Sequence, residues 1–558
     1  MGAVEITDSE KTWAEETGET RHPRILFTSV YGPYAKVEGA DVQHTFSMEL
    51  YNNQVTRGQG VYSPRLFHHS WGMQMIQGNI SAPSTLLDFP TQEAFERELT
   101  AHSYDIVAIT SIVMNVYKVK EMCRIVRNLS PKSKIVVGGH VAAIPWLGQF
   151  IDADHIARGD GISWMRRYLG EDMNAPIRHP PLKARIGFRL LGMWLPDLLL
   201  SQGATIVPSV GCPMGCKFCA TSNFFGGRGK SVIYLKTGEE LFRAMCEAES
   251  ALKANEFFVM DENFLLDRKR AMELLELMKA NNKAWAFNVF ASANALRKYT
   301  MEELVQLGVV QVWIGLESPH SKFVKLEGAD TMKLVRDLQS NGIAITGSTI
   351  IGLEHHTPEN AVEEIEYAVS HGTDFHQFML YIPFPGTPLY VELEKEGRLL
   401  KEADLTGFSG LDRFSFQHAT ISRDESKRLI DFAFQRDFER NGPSVFRLIR
   451  TTFEGWKQHR NHPDERVRRR FQEQTSSLKS YSAALWAMEK MFEDRDKAMS
   501  ERMRLLRLEM EKEFGFSARM ASKLLGPVML YTTRREEERL ARGVTYEPRT
   551  FIERKNWS

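Results

Sequence analysis

This chain lacks the features that mark secreted, membrane-spanning or nucleic-acid-binding proteins. It has only five cysteines in 558 residues, and its 71 acidic residues balance 71 basic ones, so no global field points to nucleic acid. The first ten residues lack the basic and apolar regions of a signal peptide. The longest apolar stretch, residues 186–200, is interrupted by Arg189, Pro196 and Asp197 and is short for a bilayer span. We therefore expect a cytoplasmic protein in which this stretch forms a buried or interfacial helix.

Three of the five cysteines lie within eight residues, as Cys212, Cys216 and Cys219 in a C-x3-C-x2-C spacing. Thiolates so close together on one loop can converge on a single iron–sulfur cluster. A cubane cluster usually takes four cysteines, so three would leave one iron open to a small molecule. A zinc site would need a fourth ligand nearby, and the next cysteine, Cys246, falls in a predicted helix. A cluster is therefore favoured, with zinc or inert thiols as the alternatives and a disulfide disfavoured.

The cysteine motif resembles that of the radical S-adenosylmethionine (SAM) enzymes, in which an aromatic residue, here Phe218, precedes the last cysteine. The resemblance implies a [4Fe–4S] cluster whose open iron is chelated by the amino and carboxylate groups of SAM. It implies that one electron from the cluster cleaves SAM to a 5′-deoxyadenosyl radical. An electron donor such as ferredoxin or flavodoxin would then be a partner.

The region before the cysteines alternates short apolar strands with helical segments. Strands are predicted at residues 24–30, 84–89, 104–111, 134–140 and 153–158, with a helix at 116–129. Such a pattern favours a doubly wound parallel sheet covered on both faces, which binds ligands at the carboxyl ends of its strands. The small or polar residues that follow these strands are Ser111, Gly138, Gly139, His140, Gly159 and Gly161. Tight strand-to-helix turns would also explain the glycines.

The order of these residues resembles the cobalamin-binding domain that precedes the radical SAM domain in one large subfamily. The resemblance rests on Gly138-Gly139-His140 at one strand end and Gly159-Asp160-Gly161 at the next. It implies a corrinoid held by the six residues named above. The D-x-H-x-x-G motif that often supplies a lower-axial histidine is absent. Any corrinoid would lack that ligand, and a degenerate domain without corrinoid stays open.

The region after the cysteines repeats a strand–helix pattern at short spacing, which favours a partial parallel barrel with its functional residues at the carboxyl ends of the strands. Strands are predicted at 255–264, 285–294, 310–318, 343–353 and 374–383. Several strand ends resemble SAM-contacting positions of the family: Asp261 and Glu262 near the SAM amino group, Gly315 and Glu317 in a G-x-E-S strand whose glutamate lies near the ribose, and residues 347–352 near adenine. Ser292 sits on the strand between the first two. The resemblance thus implies six SAM-binding residues, which are Phe218, Asp261, Glu262, Ser292, Gly315 and Glu317. As alternatives, Glu317 could be a surface carboxylate, and either Asp261 or Glu262 could point inward.

Beyond residue 422 the chain becomes rich in charged and large apolar residues, and helices are predicted at 423–441, 444–459, 463–492 and 494–514. A helical appendage packed on the barrel is the favoured interpretation. The alternative is an interfacial surface for a membrane or a lipid-like substrate, for which residues 516–531 would be suited.

The sequence thus predicts an α/β protein with a cobalamin-binding-like domain at 1–200, a radical SAM partial barrel at 201–422 and a helical extension at 423–558. The first functional hypothesis is a cobalamin-dependent radical SAM methyltransferase acting on an unactivated carbon of a hydrophobic small molecule. A second is cobalamin-free C–C coupling, cyclisation or rearrangement, and a third is a non-catalytic iron–sulfur redox sensor. Substrate identity and oligomeric state are left open.

Overall fold

The computed structural model describes residues 11–34, 54–194, 203–316, 330–400, 405–544 and 546–557. Within these ranges the chain forms two mainly parallel sheets followed by long helices, which confirms the predicted α/β class with a C-terminal helical extension. No helix in the described ranges is both long and apolar enough to cross a membrane.

The helices and strands follow one another in three regions of the chain. The first region contains α1 (Trp13–Thr17), β1 (Ile25–Ser29), β2 (Arg65–Phe67), α2 (Trp71–Gly78), β3 (Ser84–Asp88), α3 (Gln92–Ala101), β4 (Ile106–Thr110), α4 (Val116–Leu129), β5 (Lys134–Gly138), α5 (Leu147–Phe150), β6 (His155–Ile156) and α6 (Gly161–Leu169). The second contains β7 (Leu182–Lys183), β8 (Ile186–Leu190), β9 (Met193–Trp194), β10 (Gly203–Ile206), β11 (Ser209–Val210), α7 (Ala220–Phe224), β12 (Val232–Ile233), α8 (Gly238–Leu252), β13 (Glu256–Val259), α9 (Arg268–Ala280), β14 (Ala286–Phe290), α10 (Ala293–Leu296), α11 (Met301–Leu307), β15 (Val309–Gly315), α12 (Thr331–Ser340), β16 (Ala344–Ile351), α13 (Pro358–Ser370), β17 (Phe375–Leu380) and α14 (Pro388–Lys395). The third contains α15 (Arg423–Asn441), α16 (Ser444–His459), α17 (Glu465–Phe492), α18 (Lys497–Phe514), α19 (Phe516–Ala541) and β18 (Phe551–Lys555).

The first sheet has the strand order β18-β3-β1-β4-β5-β6, in which every pair except β18–β3 is parallel. Its five parallel strands are those predicted from the sequence. They are nearly continuous apolar runs because both faces of the sheet are covered by helices. The strand order reverses beside β1, and ligands of such sheets bind outside the carboxyl ends of the strands near this point.

The second sheet has the order β17-β16-β15-β14-β13-β10-β7, with β10 and β13–β17 parallel and β7 antiparallel at the edge. Burial alternates along β13 and β14. Phe257, Val259 and Phe287 pack outward in the main apolar core, whereas Phe258 and Asn288 line a cavity inside the curved sheet. This arrangement is the partial barrel that the sequence predicts.

The predicted helix over residues 186–200 is wrong in its described part. Residues 186–194 form the hairpin β8–β9, and β8 pairs antiparallel with β2 through Arg65 and Arg189. The chain reverses at Leu191 and Gly192, which both have positive φ angles of 49° and 75°. Apolar composition does not distinguish a buried helix from a hairpin, and the glycine that permits the turn decides between them here. Residues 195–200 lie outside the described ranges.

The C-terminal helices begin and end close to the predicted residues, and α15 and α16 match them. The chain then returns to the first sheet, where β18 pairs antiparallel with β3, a strand that the sequence did not predict. Arg554 of β18 donates a hydrogen bond to Glu98 of α3 over 2.7 Å. The last described residues, in β18, therefore pack on the N-terminal sheet.

A buried ion pair fastens the first C-terminal helices to the barrel. Arg447 of α16 donates to both carboxylate oxygens of Asp437 of α15 at 3.0 and 2.8 Å, and also to the Thr373 carbonyl, just before β17, at 2.8 Å. The two side chains are 1% and 4% exposed. Their fixed hydrogen bonds compensate the loss of hydration that burial of two charges entails.

We expect the substitution Arg447→Leu to destabilise the protein by about 3–5 kcal/mol, because it leaves the Asp437 carboxylate buried without its cation. Urea unfolding followed by circular dichroism measures the effect. The matched control is Arg436→Leu, which removes a solvent-accessible pair with Glu366 and should shift unfolding far less. The double variant Arg447→Leu/Asp437→Leu should recover much of the lost stability. Equal destabilisation by Arg447→Leu and Arg436→Leu would contradict this account.

Candidate functional site

The cysteine loop lies between β11 and α7. Two of its glycines let its backbone pass close to residues 225–228, which follow α7. Gly211 and Gly215 both have positive φ angles, of 83° and 67°. A Cβ atom at Gly215 would lie 2.5 Å from the Arg228 Cα, and one at Gly211 would lie 2.6 Å from the Phe225 Cβ. Only glycine therefore fits at these positions, and the segment after α7 closes over the loop.

Side chains of α7 hold the carbonyl groups of the loop. Ser222 Oγ donates to the Cys212 carbonyl at 2.6 Å, and Asn223 Nδ2 donates to the carbonyls of Cys216 and Cys219 at 3.0 and 2.7 Å. The Ser222 amide lies 3.5 Å from the Cys219 sulfur. These bonds fix the backbone, and all three cysteines then line one cavity of about 460 Å³.

The donor set of this cavity fits a cluster better than a single ion. Among the described residues, no three histidine, cysteine or carboxylate groups are arranged to hold one metal ion. The cavity is lined by three cysteine thiols, one fewer than the four ligands that a closed structural zinc site takes. Burial raises the pKa of the Cys212 thiol to about 11 and also raises that of Cys219. Coordination to iron is what stabilises such thiolates, and three of them leave one corner of a cubane cluster free.

Four of the six predicted SAM-contacting residues line the same cavity as the cysteines. They are Phe218, Glu262, Ser292 and Gly315, and they come from the loop and from three strand ends. Ser348 and Ile350, within the stretch predicted to lie near adenine, line it as well. Glu317 lies outside the described residues. The carboxyl ends of the barrel strands and the cysteine loop thus enclose one space, as a parallel barrel favours.

Asp261 and Glu262, which the sequence could not tell apart, have different surroundings. The Asp261 carboxylate is buried, 2.5 Å from Arg270 Nη2, and it accepts a hydrogen bond from the Asn263 amide at 3.1 Å. Asn263 in turn donates to Ser292 Oγ at 3.2 Å. Asp261 therefore holds the strand end in shape, whereas Glu262 lines the cavity. Burial, and to a smaller extent the charge of Asp261, raises the pKa of Glu262 to about 7.

The residues predicted to hold a corrinoid lie at the carboxyl edge of the first sheet, against the barrel. A cavity of about 300 Å³ there is lined by Gly138, Gly139, His140, Gly159 and Gly161. Ser111 instead lines an adjoining cavity, together with Gly139 and His140. A Cβ atom at Gly139 would lie 2.6 Å from the Ser111 carbonyl oxygen, so the strand end has room only for glycine.

The cavity at the sheet edge also reaches the cysteine region. The His140 ring lies 5.0 Å from the ring of Phe224, at the end of α7. Tyr234 donates a 2.6 Å hydrogen bond to Asp160, between the two glycines of the predicted turn. Phe224, Phe225, Tyr234 and Glu262 belong to the lining. The sequence singled out neither Tyr234 nor this contact, because no local pattern relates a residue after β12 to the first sheet.

A partial barrel with an open three-cysteine loop at its strand ends defines an enzyme that uses a cluster together with a small-molecule ligand. Residues 206–415 match the sequence model of the radical SAM superfamily. The matched region is a radical SAM domain, as predicted, and the protein is a radical SAM enzyme whose cofactors include a [4Fe–4S] cluster and SAM.

Several curated proteins are similar to this chain. An uncharacterized methyltransferase of Pyrococcus horikoshii is 25% identical over 51% of this chain and 68% of its own length. The bacteriochlorophyllide d C-12(1)-methyltransferase of Chlorobaculum tepidum is 28% identical over 56% of this chain and 71% of its own. The hopanoid C-2 methylase of Rhodopseudomonas palustris is 23% identical over 60% and 63%.

A solved structure also resembles the fold. It is the radical S-adenosylmethionine methyltransferase TsrM from Kitasatospora setae with cobalamin and a [4Fe–4S] cluster bound. The match has 14% identity and a TM-score of 0.49, and covers 81% of this chain and 100% of that one.

We expect Cys216→Ala to abolish iron and sulfide binding after anaerobic reconstitution, because one corner of the cluster would lose its only protein ligand. Iron and sulfide analysis and visible absorption measure the result. The control is Cys246→Ala, on α8 and away from the cavity, which should keep the full iron content. Full iron content in Cys216→Ala would contradict the assignment of the loop.

Proposed function

We propose that this enzyme is a cobalamin-dependent methyltransferase that places a methyl group on an unactivated carbon of a hydrophobic small molecule. The observation that carries the proposal is the position of Glu262. This residue lines both the cavity of the cysteines and the cavity at the edge of the first sheet. A site for radical generation and a site for a methyl carrier would therefore be neighbours, as a transfer between them requires.

The edge cavity has features that suit a corrinoid. The Nδ1 atom of His140 is buried and makes no hydrogen bond with any described residue. A buried polar atom without a partner is costly, so a ligand that approaches it would be favoured. The glycines at 138, 139, 159 and 161 leave backbone exposed to a large flat group. When bound, the corrinoid would carry the methyl group, and the cluster would deliver the electron that cleaves SAM.

A third cavity supports an apolar substrate. It lies inside the barrel, has a volume of about 240 Å³, and is lined by Phe188, Phe258 and Trp313 among others. Trp313 also lines the cysteine cavity and stacks on Phe290 with 5.3 Å between the rings. Glu256 accepts a 2.8 Å hydrogen bond from Asn288 at the same cavity. Apolar walls with a few fixed polar groups are typical of small-molecule sites.

The relatives named above agree with this proposal. Each is a methyltransferase or methylase, and two act on a bacteriochlorophyllide or a hopanoid, which are largely apolar molecules. Reductive cleavage of SAM needs a one-electron donor. That this donor is a ferredoxin or flavodoxin stays a prediction.

The test is anaerobic reconstitution with iron, sulfide and hydroxocobalamin, followed by gel filtration. We expect one corrinoid per chain, as measured by its visible spectrum, and cleavage of SAM when dithionite is added. His140→Ala should lose most of the corrinoid but keep the cluster, because its ring lies in the edge cavity. Cys216→Ala should lose the cluster but keep the corrinoid, which makes the two variants mutual controls.

A cobalamin-free radical SAM reaction, such as coupling or rearrangement, is the second candidate. The missing D-x-H-x-x-G motif favours it. Cleavage of SAM by a protein that retains no corrinoid under any reconstitution condition would overturn the methyltransferase proposal and support this alternative.

We also expect SAM to bind more tightly as the pH rises through about 7. SAM carries positive charge, and the Glu262 carboxyl is ionised only above its raised pKa of about 7, so attraction between them is lost at lower pH. Isothermal titration calorimetry from pH 6 to 8 measures the change, which should be up to about tenfold per pH unit below the pKa. Glu262→Gln should bind more weakly at high pH and show a flat profile. Asp267→Asn, at a carboxylate outside the cavity, is the control and should keep the wild-type slope.

A further inference from the structure

Helix α19 exposes an unusual amount of apolar surface. Phe516, Leu524, Leu525, Val528 and Tyr531 are 73%, 62%, 50%, 53% and 60% exposed. Leu524, Val528 and Tyr531 are spaced by four and three residues, so they form one stripe along the helix. We call these five residues the apolar face of α19. Scattered exposed apolar residues are normal, but a contiguous group marks a contact surface.

The opposite side of α19 is held firmly, so the apolar face does not result from a loosely packed helix. Gly526 lies against Trp486 of α17, where an added Cβ atom would come within 2.7 Å of the ring. Ser522 donates a 2.6 Å hydrogen bond to Glu511 of α18. Since the inner side is committed to these neighbours, the apolar face points away from the protein within the described part of the chain.

The charges along residues 516–535 of α19 are all basic, and acidic residues follow only at Glu536, Glu537 and Glu538, in the last turns of the helix. Between Phe516 and Arg535 the chain has four basic residues and no acidic one. All four are exposed, and they are Arg519, Lys523, Arg534 and Arg535. A symmetric contact with a second copy would bring these cations against themselves, which is unfavourable. An anionic surface with an apolar interior satisfies both the cations and the large apolar side chains.

The hairpin β8–β9 packs against the inner side of α19, in its C-terminal half. Thr532 and Thr533 of α19 donate to the Leu191 carbonyl at the hairpin turn, over 3.2 and 3.3 Å. Trp194 of the same hairpin is 53% exposed, and Phe188 lines the cavity inside the barrel. Tryptophan is favoured at membrane interfaces.

We propose that α19 docks the enzyme on an anionic lipid surface, with the apolar face inserted among the acyl chains and the four basic residues against the phosphates. The helix lies in the plane of the interface rather than across it, since only one of its sides is free. In the docked protein the hairpin β8–β9 lies near the lipid, where apolar molecules accumulate. Its residue Phe188 lines the cavity inside the barrel.

Co-sedimentation of the full-length protein with vesicles tests the proposal. Vesicles of equal parts phosphatidylglycerol and phosphatidylcholine should bind the protein at low salt, and pure phosphatidylcholine vesicles should bind it much less. Leu524→Ser/Val528→Ser should weaken binding by about tenfold or more, because apolar burial is lost. Arg519→Gln/Lys523→Gln should weaken it by about fivefold for each charge removed.

The control is Val391→Ser, which removes a similarly exposed apolar side chain (57% exposed) on α14, outside α19. It should bind vesicles like the wild type. Circular dichroism and SAM cleavage should be unchanged in all of these variants, which separates a docking defect from a folding or catalytic one. Absence of binding to anionic vesicles at low salt would overturn the proposal. So would a wild-type dimer by light scattering that Leu524→Ser/Val528→Ser dissociates, since a second copy would then cover the face.

Discussion

The backbone of the cysteine loop passes so close to the segment after α7 that a side chain at Gly215 would overlap the Arg228 main chain. This approach gives the loop its closed shape, and Ser222 and Asn223 complete it by taking up the carbonyls of all three cysteines. The thiols are left to face one cavity at the carboxyl ends of the barrel strands. The strand-end residues of the barrel line this cavity as well, because the loop places the three cysteines at their edge of the sheet.

The two sheets meet by their functional edges. Parallel strands place all their carboxyl ends on one side, so each sheet by itself offers one ligand-binding edge. The Tyr234–Asp160 hydrogen bond and the contact of His140 with Phe224 join these edges directly. Two cavities therefore share a wall, and Glu262 belongs to both. This shared wall is the structural basis for proposing that two cofactors work on one substrate.

Local signals explain which elements could be predicted. Helix α15, which the sequence predicts at its observed bounds, begins at a capping box between Ser422 and Glu425, a signal contained in four consecutive residues. The hairpin at 186–194 was missed because its apolar composition fits a buried helix as well, and because the pairing of β8 with β2 joins residues more than a hundred positions apart. The strand β18 was missed because its pairing is also long-range: its sequence becomes a strand only when β3 provides an edge to pair with.

The sequence by itself determined the chemistry of the cysteine loop, the alternation that makes two parallel sheets, and the glycines that keep the strand ends open. These depend on residue type and short spacing. Only the tertiary structure decided that Asp261 pairs with Arg270 whereas Glu262 lines the cavity. It also decided that the first sheet contacts the cysteine region through His140 and Phe224, and which side of α19 is exposed. Each of these features results from packing between elements that are far apart in the chain. Which contacts form there depends on all the surrounding side chains together, and a local sequence pattern does not contain that information.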